Sequence, residues 1–245
     1  MNGELFPNFI AGSWVTNSDA KANINPSDLN DTIGHYAQAS SAQTNEAIEC
    51  AATAFSKWRD TSPLVRFEAL DKIGSEILTR VDELGDMLSR EEGKTLSEAT
   101  AEAHRAGHLF KYFAAEAYRA TGEMYQSLRE GVSLNVLREP IGVIGVITPW
   151  NFPQAIPAWK IAPALAYGNA VIWKPANLTP ASAHALTEII SRQDIPKGLF
   201  NLVMGAGGTV GQALVEDPRV NAISFTGSVP VGQGIARSAV GNFTK

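Results

Sequence analysis

The residues most able to do chemistry lie in I-G-V-I-G-V-I-T-P-W-N-F-P, residues 141–153. Val143, Ile144, Val146 and Ile147 form a nearly unbroken apolar run, which predicts a short strand buried on both faces. Pro149 ends it, because a ring without an N–H cannot continue a ladder. Thr148, Trp150 and Asn151 then occupy the carboxyl end of the strand, where open α/β sheets bind ligands. The Asn151 amide can donate to a developing oxyanion, or the residue can cap the helix that follows. Lys174 ends a second apolar run beside Pro175. A cation there can hydrogen-bond the adenosine ribose of a dinucleotide or its 2′-phosphate, or stand solvated at a strand end. G-A-G-G-T-V-G, residues 205–211, is one residue longer than the dinucleotide fingerprint and is either a plain turn or a phosphate approach. Ser228 precedes a helical stretch; its hydroxyl caps that helix, or joins the free N–H groups in holding a pyrophosphate.

Two other features are read as structural. His104 and His108 are four apart on a predicted helix, but no Glu follows the first and no third ligand is near, so no metal site is expected. Cys50, the one cysteine, sits at the border of an amphipathic helix with only Lys57 nearby to lower its pKa. A reactive thiol must be a thiolate, so Cys50 is not expected to be a nucleophile.

The elements that must position these residues follow from periodicity. Residues 8–16, with Phe9 and Trp14 around Gly12, predict a hairpin arm. Residues 20–41 are polar and turn-rich and predict an open connector. Helices are expected over 44–58, 64–79, 82–92 and 97–120. Ser62-Pro63 marks one start, and Gly93 and Gly122 mark stops. This helical layer carries no motif of chemical interest. Residues 123–139 predict a hairpin turning at Arg129-Glu130-Gly131, with a half-buried strand over 132–137. Strands near 142–147, 170–174, 199–203 and 222–225 then alternate with helices over 154–166, 181–192, 209–215 and 231–240. That alternation predicts an α/β fold: an open parallel sheet with right-handed crossovers and helices on both faces.

The 245 residues can bury roughly 70–75% of their unfolded surface. Twenty basic and 25 acidic residues are mixed along the chain, for a net charge of −5, and no basic block offers a track for nucleic acid. No apolar run has membrane-spanning length. M-N-G-E-L-F-P-N-F-I lacks the features of a signal peptide, and a single cysteine excludes an intrachain disulfide. A cytoplasmic protein is expected.

Four stretches in series, T-P-W-N-F-P, W-K-P-A-N-L-T-P, G-A-G-G-T-V-G and F-T-G-S, resemble the aldehyde dehydrogenase superfamily in order and spacing. The resemblance covers the whole chain but only the first half of a complete member. It implies the Rossmann-like sheet of that family, preceded by a helical layer and a bridging hairpin that builds a homodimer or homotetramer. Division into 1–122 (arm and helices), 123–139 (bridging hairpin) and 140–245 (cofactor-binding core) follows. The resemblance makes Asn151 the oxyanion donor and implies cofactor contacts from Thr148, Pro149, Trp150, Lys174, Ala176, Asn177, Gly207, Gly208, Gly211, Phe225, Thr226, Gly227, Ser228 and Gly232. Many family members carry a carboxylate three residues after the lysine, pairing with ribose hydroxyls; Asn177 stands there instead. An amide does not repel a 2′-phosphate, so the expected cofactor is NAD or NADP.

By the same resemblance, a cysteine thiolate attacks an aldehyde, hydride passes to nicotinamide, and the thioester is hydrolysed to the acid. The stretches match best in semialdehyde dehydrogenases acting on 2-oxoglutarate or succinate semialdehyde. The cysteine and activating glutamate of that scheme would lie beyond Lys245. The chain is therefore expected to be an N-terminal part, inactive alone, with an unpaired outer sheet edge. Two rivals are a stand-alone module that binds nucleotide without chemistry and an acyl-CoA-forming member.

Overall fold

Val143–Ile147 and Ala170–Lys174 are buried at every position, as strands covered by helices on both faces must be. They lie at the centre of a computed structural model that describes residues 4–17, 19–119 and 122–245. In chain order the strands and helices are β1 (Leu5–Phe6), β2 (Asn8–Ile10), β3 (Ser13–Val15), β4 (Ala20–Ile24), β5 (Thr32–Ala37), α1 (Ser41–Trp58), α2 (Pro63–Thr79), α3 (Val81–Glu92) and α4 (Leu96–Glu116). There follow β6 (Glu123–Gln126), β7 (Ser133–Val136), β8 (Val143–Ile147), α5 (Ala155–Ala166), β9 (Ala170–Lys174), α6 (Pro180–Ser191), β10 (Phe200–Leu202), α7 (Gln212–Glu216), β11 (Val220–Phe225) and α8 (Val229–Val240).

The main sheet has the order β11-β8-β9-β10-β2-β3. Its first four strands are parallel, as expected. The N-terminal hairpin β2–β3 extends it antiparallel, so the whole sheet is mixed rather than purely parallel. Two buried asparagines lock that addition: Asn8 Oδ1 accepts the Met204 N–H at 2.6 Å, and Asn201 Oδ1 accepts the Ala11 N–H at 2.9 Å. The chain runs from β8 through β9 to β10 in one direction, then crosses back to β11 on the other side of β8. α5 and α6 cover one face, with α2–α4 stacked behind them, while α1 and α7 pack on the other.

Caps set the helix boundaries. Ser40 with Gln43 and Thr95 with Glu98 form capping boxes at α1 and α4. Ser62 caps α2 with Pro63 following, and Gly93 closes α3 at a φ of 83°.

Four expectations need correction. The open connector at 20–41 is largely β4 and β5, which pair antiparallel, with β1 alongside β5. Residues 25–31 turn between the strands and 38–40 lead into α1; the segment's polarity, spread over a solvated small sheet, hid the pairing. The long helix ends at Glu116 and tightens into a 3₁₀ turn over Ala117–Arg119, well before Gly122; Ala120 lies outside the described residues. The β6–β7 ribbon is exposed at every position, because no third layer lies against it among the described residues. The outer edge of β11 is not bare: the Lys245 N–H donates to Asn221 O (3.0 Å) and its carbonyl accepts the Ile223 N–H (2.9 Å).

Candidate functional site

β8 is the first of the four parallel strands, and its neighbours β9 and β11 are reached in opposite directions. That makes the gap between β8 and β11 the topological switch point, where a crevice opens at the carboxyl ends. Both T-P-W-N and F-T-G-S end there, tied by the Thr226 N–H donating to Ile147 O at 3.1 Å. Thr148 is buried and held twice: its N–H donates to Lys174 O (3.3 Å), and its Oγ1 accepts Trp173 Nε1 (2.9 Å).

A cleft of about 500 Å³ lies beside this point, and it brings together Lys174, Gly207, Gly208 and Gly211 with the inward faces of α7 and α8. The glycine stretch folds as one wide turn over Gly207–Gly211, leading into α7, instead of starting a regular helix at Thr209. Gly207 and Gly208 have no left-handed φ, and a Cβ on either would meet nothing within 4 Å. Neither backbone strain nor internal packing explains these glycines; what they provide is bare backbone facing open space. Gly227 and Gly232 differ. A Cβ at Gly227 would come within 2.5 Å of the Phe225 ring, and one at Gly232 within 3.1 Å. They seat Phe225 over the small apolar cluster of Ile147, Val215 and Ala239.

Lys174 is 7% exposed and donates to Pro175 O at 2.9 Å. Burial pulls its pKa down to about 8. It is thus a desolvated cation on the cleft wall, not a solvated strand-end lysine. Ala176 is half-buried, and Asn177 is exposed on the loop that follows. Ser228 occupies the N-cap position of α8, but its hydroxyl makes no capping bond. Ser228 is exposed, Pro230 offers no N–H, and the Val229 and Val231 N–H groups have no partner among the described residues, an arrangement suited to an anion.

Asn151 and Trp150 line a different cleft, of about 520 Å³, together with Phe152 and residues of α3 and α4. Asn151 is not a helix cap, since α5 begins at Ala155 with Gln154 in the N-cap position. Its side-chain amide makes no hydrogen bond among the described residues, while its backbone carbonyl accepts Lys94 Nζ at 3.1 Å. The helical layer, in which sequence reasoning found no motif of interest, thus supplies a side chain that contacts the Asn151 turn. Lys94 also pairs with Glu102 Oε2 at 2.6 Å, and Glu102 Oε1 accepts the Gln154 and Ala155 N–H groups at 2.9 and 3.1 Å.

Cys50 lies far from both clefts. It packs against Gly198, which precedes β10 at the amino edge of the sheet, and burial with Glu46 and Glu49 raises its thiol pKa. His104 and His108 meet edge to face with ring centres 4.5 Å apart.

The family pattern described as the aldehyde dehydrogenase family matches residues 14–245. The chain belongs to this family. An alpha-ketoglutaric semialdehyde dehydrogenase of Bacillus subtilis is 39% identical over 97% of the chain and 49% of the relative's length. A 2,5-dioxopentanoate dehydrogenase of Saccharolobus solfataricus is 37% identical over 95% of the chain and 49% of that protein. The chain thus spans about half the length of the curated relatives it matches. The crystal structure of Staphylococcus aureus betaine aldehyde dehydrogenase, solved with NAD+, superimposes with a TM-score of 0.94 at 32% identity, covering 98% of this chain and 48% of that one. An NADP-dependent enzyme of E. coli superimposes with a TM-score of 0.95 at 34% identity, over 98% and 50%. These matches bear out the Rossmann-like aldehyde dehydrogenase fold expected from the four motifs.

Proposed function

We propose that this chain is the cofactor-binding part of an NAD(P)-dependent dehydrogenase that oxidises a short dicarboxylate semialdehyde to the acid. The observation that carries the reading is the pair Gly207–Gly208, bare for no internal reason, beside desolvated Lys174 in the switch-point cleft. A dinucleotide fits those residues. Lys174, with Ala176 and Asn177, faces the adenosine ribose, and Gly207, Gly208 and Gly211 let the backbone approach it. The Ser228 hydroxyl and the α8 N–H groups hold the pyrophosphate, with Thr226, Gly227 and Gly232 shaping the approach around Phe225. Thr148, Pro149 and Trp150 close the nicotinamide end. A bound nicotinamide would supply the hydride acceptor once a nucleophile had added to the aldehyde carbon.

Asn151 donates its free side-chain amide to the aldehyde oxygen as negative charge develops there. Cys50 cannot serve as nucleophile from the opposite edge of the sheet. The division at 1–122, 123–139 and 140–245 belongs to the same reading. The exposed apolar side chains of the ribbon, Met124, Leu134 and Val136 among them, support its use in a homodimer or homotetramer. The semialdehyde class rests on the similarity to the Bacillus and Saccharolobus enzymes.

The test is NAD(P)H formation from 2-oxoglutarate and succinate semialdehydes by the protein at its natural length, wild type and Asn151→Ala. The variant should lose roughly 10²–10³ in kcat with cofactor affinity retained. An unchanged kcat removes the oxyanion role. Cofactor binding with no turnover of any aldehyde favours a non-catalytic nucleotide-binding module instead.

A further inference from the structure

We infer that Lys94 and Glu102 are positioning residues that hold the Asn151 turn against the helical layer; this rests on the dehydrogenase reading above. Beyond Thr148 the turn between β8 and α5 is irregular, and the Gln154 side chain does not cap α5 but donates from Nε2 to Leu84 O at 3.2 Å. Asn151 and Phe152 are both exposed. Besides the Gln154 bond, what restrains residues 151–155 is a buried ion cluster reaching across from α3 and α4.

Lys94 follows the Gly93 stop of α3, and its ammonium makes three contacts that converge on the turn. Nζ lies 2.6 Å from Glu102 Oε2, donates to Asn151 O at 3.1 Å, and sits 4.4 Å from the centre of the Phe152 ring. Glu92 Oε2 is a further anionic neighbour at 2.8 Å. Glu102, whose side chain is 1% exposed, turns its other oxygen to the first two N–H groups of the α5 end. That contact neutralises donors a helix start leaves unpaired and places an anion at the positive end of the dipole. One lysine and one glutamate thus grip the turn at Asn151 and just beyond it, at the carbonyl of 151 and the N–H groups of 154 and 155. None of these contacts reaches the Asn151 amide. Removing them leaves the donor chemically intact but free to shift, and a misplacement of about 1 Å in a reacting group can cost on the order of 10²-fold.

The experiment uses the protein at its natural length with Lys94→Met, Glu102→Gln, Asn151→Ala and the Lys94→Met/Asn151→Ala pair. Lys94→Met should lower kcat on the order of 10²-fold, with the KM for NAD+ within about twofold, because Lys94 does not line the Lys174 cleft. The pair should be no slower than Asn151→Ala alone, since the lysine acts through that amide, and Lys94→Arg should restore part of the rate. Losses that multiply, or a folded Lys94→Met variant with wild-type kcat, would overturn the assignment. Glu102→Gln keeps an acceptor for the α5 N–H groups but releases Lys94, so it should show the same non-additivity with a smaller loss even if Lys94→Met does not fold. Crystal structures give an arm independent of turnover: residues 150–152 should move by about 1 Å in Lys94→Met, and an unmoved turn overturns the proposal. A wild type that oxidises no aldehyde sinks the dehydrogenase reading, while the structural arm still decides whether the clamp exists.

Discussion

Gly208→Leu separates the two duties a residue in this cleft can have. Gly208 is exposed, its φ lies outside the left-handed region, and a Cβ there would meet no atom within 4 Å. Folding should therefore tolerate the substitution, and because Gly is the poorer helix former by about 1 kcal/mol, stability should hold or rise slightly. Ligand binding should not tolerate it. The leucine side chain enters the roughly 500 Å³ cleft that Gly208 shares with Gly207, Gly211 and Lys174. Overpacking a well-fitted contact costs about 1–3 kcal/mol, which is about 5- to 150-fold in affinity. Calorimetric titration with NAD+, paired with a thermal melt, reads both quantities on one sample. Weaker binding at unchanged melting temperature is the expected result. Unchanged affinity would refute the assignment of this cleft to the cofactor, and a collapse in melting temperature would refute the claim that the glycine faces open space.

Two further outcomes are expected. Asn177→Glu places a carboxylate beyond Lys174, where it repels a 2′-phosphate; the NAD+ to NADP+ affinity ratio should rise on the order of tenfold, and an unaltered ratio would mean that the side chain does not face the ribose. Glu91 caps α6 from a fully buried position, accepting from Ala181 N (2.6 Å), Ser182 N (2.8 Å), Ser182 Oγ (2.6 Å) and Asn23 Nδ2. Burial pushes its pKa up to about 7 against those donors. Because the folded value is raised, the folded state gains by holding the proton. That stability is present below the ordinary carboxylate value and is lost as pH rises through about 7, about 3 kcal/mol in all. Urea unfolding near pH 5 and near pH 8 should show the fall in wild type and not in Glu91→Gln; equal falls in both would acquit Glu91.

The parallel core was legible because its strands are buried on both faces. Such strands must be continuously apolar, and V-I-G-V-I and A-V-I-W-K carry the signal in the residues themselves. Helix starts were legible where a local bond makes them, as at Ser62-Pro63. The small sheet of β1, β4 and β5 was not, because one exposed face and a polar turn give pairing no periodic trace; only long-range contact reveals it. The two clefts were legible as motifs but not as separate places, since strand spacing says nothing of which side of β8 a turn leans toward. The ion clusters of the helical layer did leave a mark. Glu102 lies on the same helical face as Ala99, Ala106 and Leu109, and Glu91 lies on that of Leu84 and Leu88. A carboxylate on an apolar stripe must be paired or capping something when folded. Reading that stripe for its exceptions would have pointed to both.

The most direct test of the account is a crystal structure of the natural-length protein with NAD+. The adenosine ribose is expected beside Lys174 and Asn177, the pyrophosphate at Ser228 and the α8 N-terminus, and the nicotinamide between Thr148 and Asn151. Cofactor bound elsewhere, or a cleft at Gly207 and Gly208 that remains free at saturating NAD+, would contradict the account.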